Sequence, residues 1–396
     1  MPSKKNNPST RKKSKKELSI VLPCLNEELT VGACVSKAVN FLKKHKINGE
    51  VLVADNGSND QSIKFAKRAG ARVVNIEKKG YGSALRGGFE AAQGKFIIMA
   101  DADDSYDLVN LMPFLERLRE GYELVMGNRF KGGIKKGAMP WHHRYIGNPI
   151  LSFLGKLFFK TPANDFHCGL RGFTKTAVEK MNLQTTGMEL ASEIVIKSSI
   201  LGMNVCEIPT TLSPDGRNRA PHLRSFRDGW RHLRFLLIYS PAWLFLYPGL
   251  IISILSGLAS IVLFFERIDI GIRFFDFHSF ILAGSALMMG LNMLSFAGIT
   301  RVFAYNFNLL PNRPHFFKLL KYFSLETGIA IGILLSLSGM LMIIYAANLS
   351  ISPGFSSLGF GSSVRLVFGG SLLTTTGVQI ILASFVLSML GINPKE

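Results

Sequence analysis

Through the first third of the chain, short apolar runs alternate with stretches of helical period. Leu18–Pro23, Glu50–Asp55, Arg72–Ile76, Phe96–Asp101 and Leu124–Gly127 are too short for core helices and read as buried strands. Between them, Leu29–Lys44, Asp60–Ala69, Gly82–Ala92 and Asp107–Arg119 carry apolar positions at helical spacing. This alternation predicts a Rossmann-like α/β domain with a mainly parallel sheet, whose ligands collect at the carboxyl ends of the strands.

The pattern changes after residue 240. Trp243–Phe265, Ser279–Ile299, Thr327–Ala347 and Leu366–Leu390 are uncharged, and each is long enough to cross a ~30 Å hydrocarbon core as a helix. Two further stretches read as interfacial. Tyr145–Phe159 mixes aliphatic and aromatic residues with Lys156, and Phe226–Leu246 opens with Arg227, Arg231 and Arg234 before turning apolar. An ordinary amphipathic core helix is the alternative for the first. The expected organisation is a basic tail over residues 1–17, an α/β domain over 18–225, a juxtamembrane helix over 226–242 and a four-helix membrane domain over 243–396.

Charge sharpens this division. Residues 1–234 carry +16 of the net +19, concentrated in the tail and in Arg217–Arg234, where six Arg stand against one Asp. Nucleic acid is one partner for such runs. Anionic membrane lipid fits better, because the second run abuts a hydrophobic span. The loop between the second and third spans holds Arg301, Arg313, Lys318 and Lys321, which predicts that the front domain, this loop and both termini face the cytoplasm, from a cytoplasmic or endoplasmic-reticulum membrane. Cys24, Cys34, Cys168 and Cys206 show no CxxC spacing, which argues against a zinc ribbon or redox pair. Gly and Ser in the spans fit close helix packing or homo-oligomerisation.

The acidic residues at the strand ends are the candidate chemistry. Asp101 and Asp103 share one face of an extended segment, and oxygen-only ligation there favours Mg²⁺ or Mn²⁺. A capping cluster before the helix at Asp107 is the alternative. Glu27, after Pro23 and Asn26, could accept a hydrogen bond from a base or ribose, or simply begin a helix. Asp55 ends the second strand, with Asp60 as a helix cap. Gly80 and Gly82 allow close backbone approach at a helix N-terminus, and Arg86 one turn on could reach a carboxylate or phosphate. The segment is not a GxGxxG fingerprint, because Leu85 stands at the third glycine position.

Taken together, Pro23…Asn26-Glu27, Asp55-Asn56-Gly57-Ser58, Gly80-Tyr81-Gly82…Arg86, Asp101-Ala102-Asp103 and Gly127-Asn128-Arg129 resemble the family 2 glycosyltransferases. The likeness is to their polyprenyl-phosphate branch, typified by dolichyl-phosphate mannose synthase. The resemblance implies a GT-A fold, a UDP- or GDP-sugar donor, a divalent metal and inversion at the anomeric carbon. It assigns Pro23, Asn26, Glu27, Asp55, Gly80, Gly82 and Arg86 to the donor side, with Asp101, Ala102 and Asp103 at the metal and diphosphate and Arg129 at the lipid phosphate. Ser105 stands where many synthases have a Gln, so a third protein ligand to the metal is not implied. The segment Asp165-Phe166-His167-Cys168-Gly169-Leu170-Arg171-Gly172-Phe173 and the stretch Pro214–Arg224 resemble bacterial members of the branch, and no QxxRW motif of the processive synthases occurs.

A lipid phosphate monoester, such as undecaprenyl or dolichyl phosphate, is largely dianionic at neutral pH and needs no protein base. The expected task is to overcome repulsion between phosphates, for which Arg129, Arg144, Arg217, Arg219 and Arg224 are the candidates. Asp103 and Arg129 are the expected catalytic pair. A non-catalytic nucleotide- or lipid-binding scaffold and a glycosyltransferase with another acceptor are the competing readings. A transporter would need charged midplane residues, whereas the spans offer only Asn292 and Gln379 as strongly polar groups.

Overall fold

A computed structural model describes residues 16–217, 225–266, 268–270, 273–306, 324–351 and 360–391. The chain divides into two compact units, Met1–Leu236 and Leu237–Glu396. The tail before Lys16, together with Arg219 and Arg224, lies outside the described residues.

In the first unit the strands are β1 (Leu18–Cys24), β2 (Gly49–Asp55), β3 (Arg72–Asn75), β4 (Phe96–Met99), β5 (Leu124–Asn128), β6 (Arg171–Thr174) and β7 (Val205–Pro209). Among the described residues these form one sheet in the order β3-β2-β1-β4-β6-β5-β7. All pairings are parallel except those of β6, which runs antiparallel between β4 and β5. The mainly parallel GT-A-like sheet expected from the sequence is therefore present, with two strands that the apolar pattern did not reveal, the reversed β6 and the parallel β7.

The helices of this unit are α1 (Val31–Lys44), α2 (Ser62–Arg68), α3 (Tyr81–Ala91), α4 (Met112–Arg119), the single turn α5 (Arg129–Gly132), α6 (Asn148–Phe159), α7 (Lys175–Met181), α8 (Leu190–Ile200) and α9 (Ser225–Ile238). Successive side chains of a strand leave on opposite faces, so each central strand feeds two cores. Leu18, Ile20 and Leu22 of β1 join Val35 and Phe41 of α1 and Phe114 and Leu115 of α4 on one face. On the other, Phe89 of α3 meets Phe173 of β6, and Gly88 brings the α3 backbone over Val21 and Ala54. Burial of β1 along its whole length explains why it reads as a nearly continuous apolar run.

Helix α4 begins at Met112 rather than at Asp107 as the pattern predicts, because Pro113 suits a helix's first turn and disfavours helix before it. Pro23 costs β1 little. Alternation from Val21, whose carbonyl accepts from Ala100, turns the missing Pro23 N–H toward β4, which has already ended at Met99.

The second unit contains α10 (Tyr247–Phe265), the short hairpin β8 (Ile268–Ile270) and β9 (Arg273–Phe275), α11 (Phe277–Asn306), α12 (Leu325–Ile351) and α13 (Phe360–Gly391). Among the described residues four segments are long and apolar enough to cross a membrane: Ala242–Phe265, Phe277–Asn306, Leu325–Leu349 and Ser363–Gly391. These are the four expected spans, each extended at one or both ends. Some of the span glycines serve packing between α12 and α13: a Cβ on Gly339 would meet the Gly370 carbonyl oxygen at 2.4 Å, and one on Gly377 the Gly332 carbonyl oxygen at 2.4 Å. Such backbone-to-backbone approach substitutes for the hydrophobic drive that lipid removes.

Candidate active site

The carboxyl ends of β1, β2 and β4 place their acidic turns side by side. Asn26, in left-handed backbone conformation, donates its N–H to Ser58 Oγ (2.9 Å) and accepts from the Asn59 N–H (2.7 Å). Glu27 donates its N–H to Ser62 Oγ at 2.7 Å. The turn after β1 is thus laced to the turn after β2. Asp55 is almost fully buried and accepts from the Gly57 and Ser58 N–H groups and from Ser58 Oγ. A cleft of about 370 Å³ opens beside these turns, lined by Asn26, Glu27, Glu28, Leu29, Asn59, Asp60 and Arg217.

The loop after β4 carries the paired acids. Asp101 Oδ1 accepts from the Tyr81 hydroxyl at 2.9 Å. Its Oδ2 lies against Gly169, where a Cβ would meet it at 2.3 Å. The Ala102 carbonyl accepts from Thr30 Oγ1 at 2.7 Å, tying this loop to the start of α1. Asp103 Oδ1 accepts from the Ser105 N–H (3.1 Å) and hydroxyl (2.6 Å). Burial pushes the Asp101 carboxyl up to about 6, and the Asp103 carboxylate adds to the shift against the opposing Tyr81, Arg217 and Arg129. Two acids held together this way gain from a bound cation.

Arg217 supplies positive charge to this group. Its Nη2 donates to Asp103 Oδ2 at 2.7 Å and its Nε to Glu27 Oε2 at 3.1 Å. Only 13% of its side chain is exposed. The chain reaches this position by running along the acidic loop: the Ser213 N–H donates to the Ser105 carbonyl and the Gly216 N–H to the Asp103 carbonyl, both at 2.9 Å.

Arg129, at the end of β5, is 8% exposed and forms a two-pronged ion pair with Asp165. Its Nε and Nη2 each reach a carboxylate oxygen at 2.7 Å, and its backbone N–H adds a third bond at 3.0 Å. Glu207 positions this acid by accepting the Asp165 N–H (3.0 Å) and Asn128 Nδ2 (2.8 Å). Arg144 sits in a π-helical turn, His143–Gly147, with its guanidinium over the Tyr145 ring at 5.5 Å. His143, next to it, is held below its ordinary pKa first by burial and then by the nearby His142 and Arg129.

The glycines at α3 have a different partner from the one expected. A Cβ on Gly80 would meet the Thr186 carbonyl oxygen at 2.2 Å, and one on Gly82 the Gly187 and Thr185 carbonyl oxygens at 2.8 Å. Their close approach is to the chain between α7 and α8. Arg86, expected to reach a carboxylate or phosphate, instead donates to the Gln184 carbonyl at 2.8 Å. One turn along α3 directs it to that same loop.

Sequence reasoning assigned no role to Asp165, Glu207, Tyr81 or Gly169. The segment Asp165–Arg171 stands out in the sequence, yet Asp165 pairs with a residue 36 positions earlier. Among the described residues no group of three or more His, Cys, Asp or Glu side chains forms a ready metal cage. Asp101 and Asp103 are the two carboxylates that could share a cation held also by nucleotide oxygens.

Comparison with known proteins shows the family. Residues 19–181 match the Glycosyl transferase family 2 domain, and residues 298–391 match the Glycosyltransferase family 2 C-terminal transmembrane region. A low-salt glycan biosynthesis hexosyltransferase of Haloferax volcanii is 33% identical over 375 residues, covering 94% of this chain and 89% of the relative. A dolichyl-phosphate hexose transferase of the same organism is 29% identical over 196 residues, covering 49% of this chain and 81% of its own. Among solved structures, glucosyl-3-phosphoglycerate synthase from Mycobacterium tuberculosis in complex with Mn²⁺, UDP and glucosyl-3-phosphoglycerate is 20% identical. It covers 57% of this chain and 79% of that chain, with a TM-score of 0.43. With a relative so similar along nearly its whole length and both regions matched, the chain belongs to glycosyltransferase family 2 and is a membrane glycosyltransferase.

Proposed function

We propose that this enzyme transfers a single hexose from a UDP- or GDP-sugar to a polyprenyl phosphate, with inversion and with the help of Mg²⁺ or Mn²⁺, at the cytoplasmic face of a membrane. The observation that carries this reading is the charge layout at the carboxyl edge of the sheet. Asp103 shares Arg217 with Glu27, which lines the cleft, Asp101 lies two residues before Asp103 on the same loop, and the buried Arg129 stands at the end of β5 on its own acid. The named specificity of the dolichyl-phosphate hexose transferase relative supports the lipid acceptor.

In this reading Asn26, Glu27 and Asp55 shape the nucleoside cleft, while Asp101 and Asp103 would hold the cation. When bound, that cation supplies Lewis-acid stabilisation of the departing nucleoside diphosphate. Arg129 orients the acceptor phosphate with the part of its fork that Asp165 leaves over, and Arg144 adds charge beside it. The acceptor phosphate is its own nucleophile, so no side chain has to take a proton from it. The exposed Tyr145, Ile146, Ile150, Phe153 and Leu157 along the π-turn and α6 suit the headgroup level of a bilayer, where the acceptor phosphate lies.

The test is a radiolabelled donor assay with purified full-length protein, UDP- and GDP-hexoses, and undecaprenyl or dolichyl phosphate. Label is expected in the organic phase only when the divalent cation and the lipid phosphate are both present. Asp103→Ala should remove this transfer with the fold intact. Transfer to a non-lipid acceptor with none to the lipid, or near-normal turnover by Asp103→Ala, would overturn the reading.

A further inference from the structure

Both oxygens of Asp103 are engaged. Oδ1 accepts the Ser105 N–H and hydroxyl, which belong to its own loop and are fixed by local geometry. Oδ2 accepts Arg217 Nη2 at 2.7 Å, and the same guanidinium reaches Glu27 Oε2 through Nε. Arg217 has come 114 residues along the chain to do this. A planar fork bridging two nearly buried carboxylates supplies the positive charge a divalent cation would otherwise bring, and a guanidinium and a dication on the same carboxylate oxygen repel strongly.

The backbone leading into Arg217 is itself tied to the acidic loop. Ser213 and Gly216 are hydrogen-bonded to the carbonyls of Ser105 and Asp103, and a Cβ at Gly216 would meet Thr30 Cγ2 at 2.9 Å. The strap therefore lies close against the acidic loop. Among the described residues, Arg217 is the side chain whose swing would free Oδ2.

We propose that Arg217 is a latch on the cation site. It neutralises Asp103 and Glu27, it must leave Oδ2 of Asp103 for a divalent cation to bind there, and its release presents a guanidinium to an incoming phosphate. Resting on the metal-assisted reading above, this sets an order: the cation and its nucleotide enter first, and the acceptor phosphate gains its arginine afterwards. A protein that keeps its phosphate-binding arginine engaged until the donor arrives avoids holding acceptor lipid unproductively.

The experiment measures Mn²⁺ binding to purified full-length protein in detergent, without nucleotide, from the electron paramagnetic resonance signal of free Mn²⁺. Arg217→Gln and Arg217→Lys should both bind Mn²⁺ about tenfold more tightly than the wild type, the factor expected if the latch is closed about nine-tenths of the time. Lys keeps the charge but cannot bridge Glu27 and Asp103 as a fork. An unchanged affinity in Arg217→Lys would show that Arg217 acts only through net charge, and weaker binding in either variant would show that it assists the cation; each overturns the latch. In the wild type Mn²⁺ should also raise the affinity for farnesyl phosphate, and Arg217→Gln should lose that gain. An equal gain in both would overturn the release of Arg217 to phosphate. Asp103→Asn distinguishes the two levels of argument: if it binds Mn²⁺ like the wild type, the cation-site reading itself has failed.

Discussion

Asp165→Asn isolates the charge of the Arg129 ion pair while preserving the shape of the site. The Asp165 side chain is fully buried and receives three hydrogen bonds from Arg129, at 3.0, 2.7 and 2.7 Å. Two unit charges ~4 Å apart attract by about 4 kcal/mol at an effective dielectric of ~20, and breaking a buried pair by removing one partner costs about 3–5 kcal/mol. For a domain of this size each kcal/mol shifts the melting midpoint by about 2–4 °C. A fall of about 6–20 °C is therefore expected in detergent, followed by the intrinsic fluorescence of the front domain. The double variant Arg129→Gln/Asp165→Asn should lose clearly less than the two single losses added, because the second change removes a charge that the first left stranded. In the lipid assay, Asp165→Asn should raise the acceptor KM more than the donor KM. A midpoint shift below about 2 °C, or strict additivity in the double variant, would refute the argument that this buried pair holds the arginine in place.

Two further outcomes follow from the packing. Gly82→Ala should destabilise the front domain by about 1–3 kcal/mol, the usual cost of overpacking, because its Cβ would fall within 3.0 Å of the backbone at Thr185, Thr186 and Gly187; a neutral or raised midpoint would contradict this. Burial works against the Glu50 carboxylate, yet hydrogen bonds from Arg72, Lys16, the Gln93 N–H and Ser19 bring its pKa down to about 2. A carboxyl lowered on folding contributes stability that is complete above its ordinary pKa, near 4.5, and is lost as pH falls toward 2. Glu50→Gln should flatten the stability profile across that window, and an acid limb identical to the wild type would count against the assignment.

The central strands were legible because burial on both faces leaves Leu18–Cys24 and Phe96–Met99 mostly apolar, with Ser19 the one polar side chain and satisfied by Glu50. Strand β6 was not. Arg-Gly-Phe-Thr is four residues long, and its first residue is a fully buried arginine whose guanidinium is satisfied by the carbonyls of Phe166, Cys168 and Ala191. No periodicity rule anticipates a buried arginine in a strand. The acids at the strand ends could be found because the carboxyl edge of a parallel sheet is where ligands gather. Their partners could not, since Arg217 and Glu27 are 190 residues apart and Arg86 turns to a carbonyl that local sequence does not place. The membrane spans were the easiest to read, because an apolar helix of sufficient length leaves few other assignments.

The stretch Asp165–Arg171 serves both charge centres at once. Asp165 grips Arg129, Gly169 lies against Asp101 Oδ2, and Arg171 anchors the segment through three backbone carbonyls. Seven consecutive residues thus act as a ruler between the carboxylate and arginine ends of the site. Such a ruler separates two kinds of evolutionary change. Residues around the cleft beside the turns after β1 and β2 can change without altering the spacing of the two charge centres, whereas an insertion or deletion inside the ruler would change it.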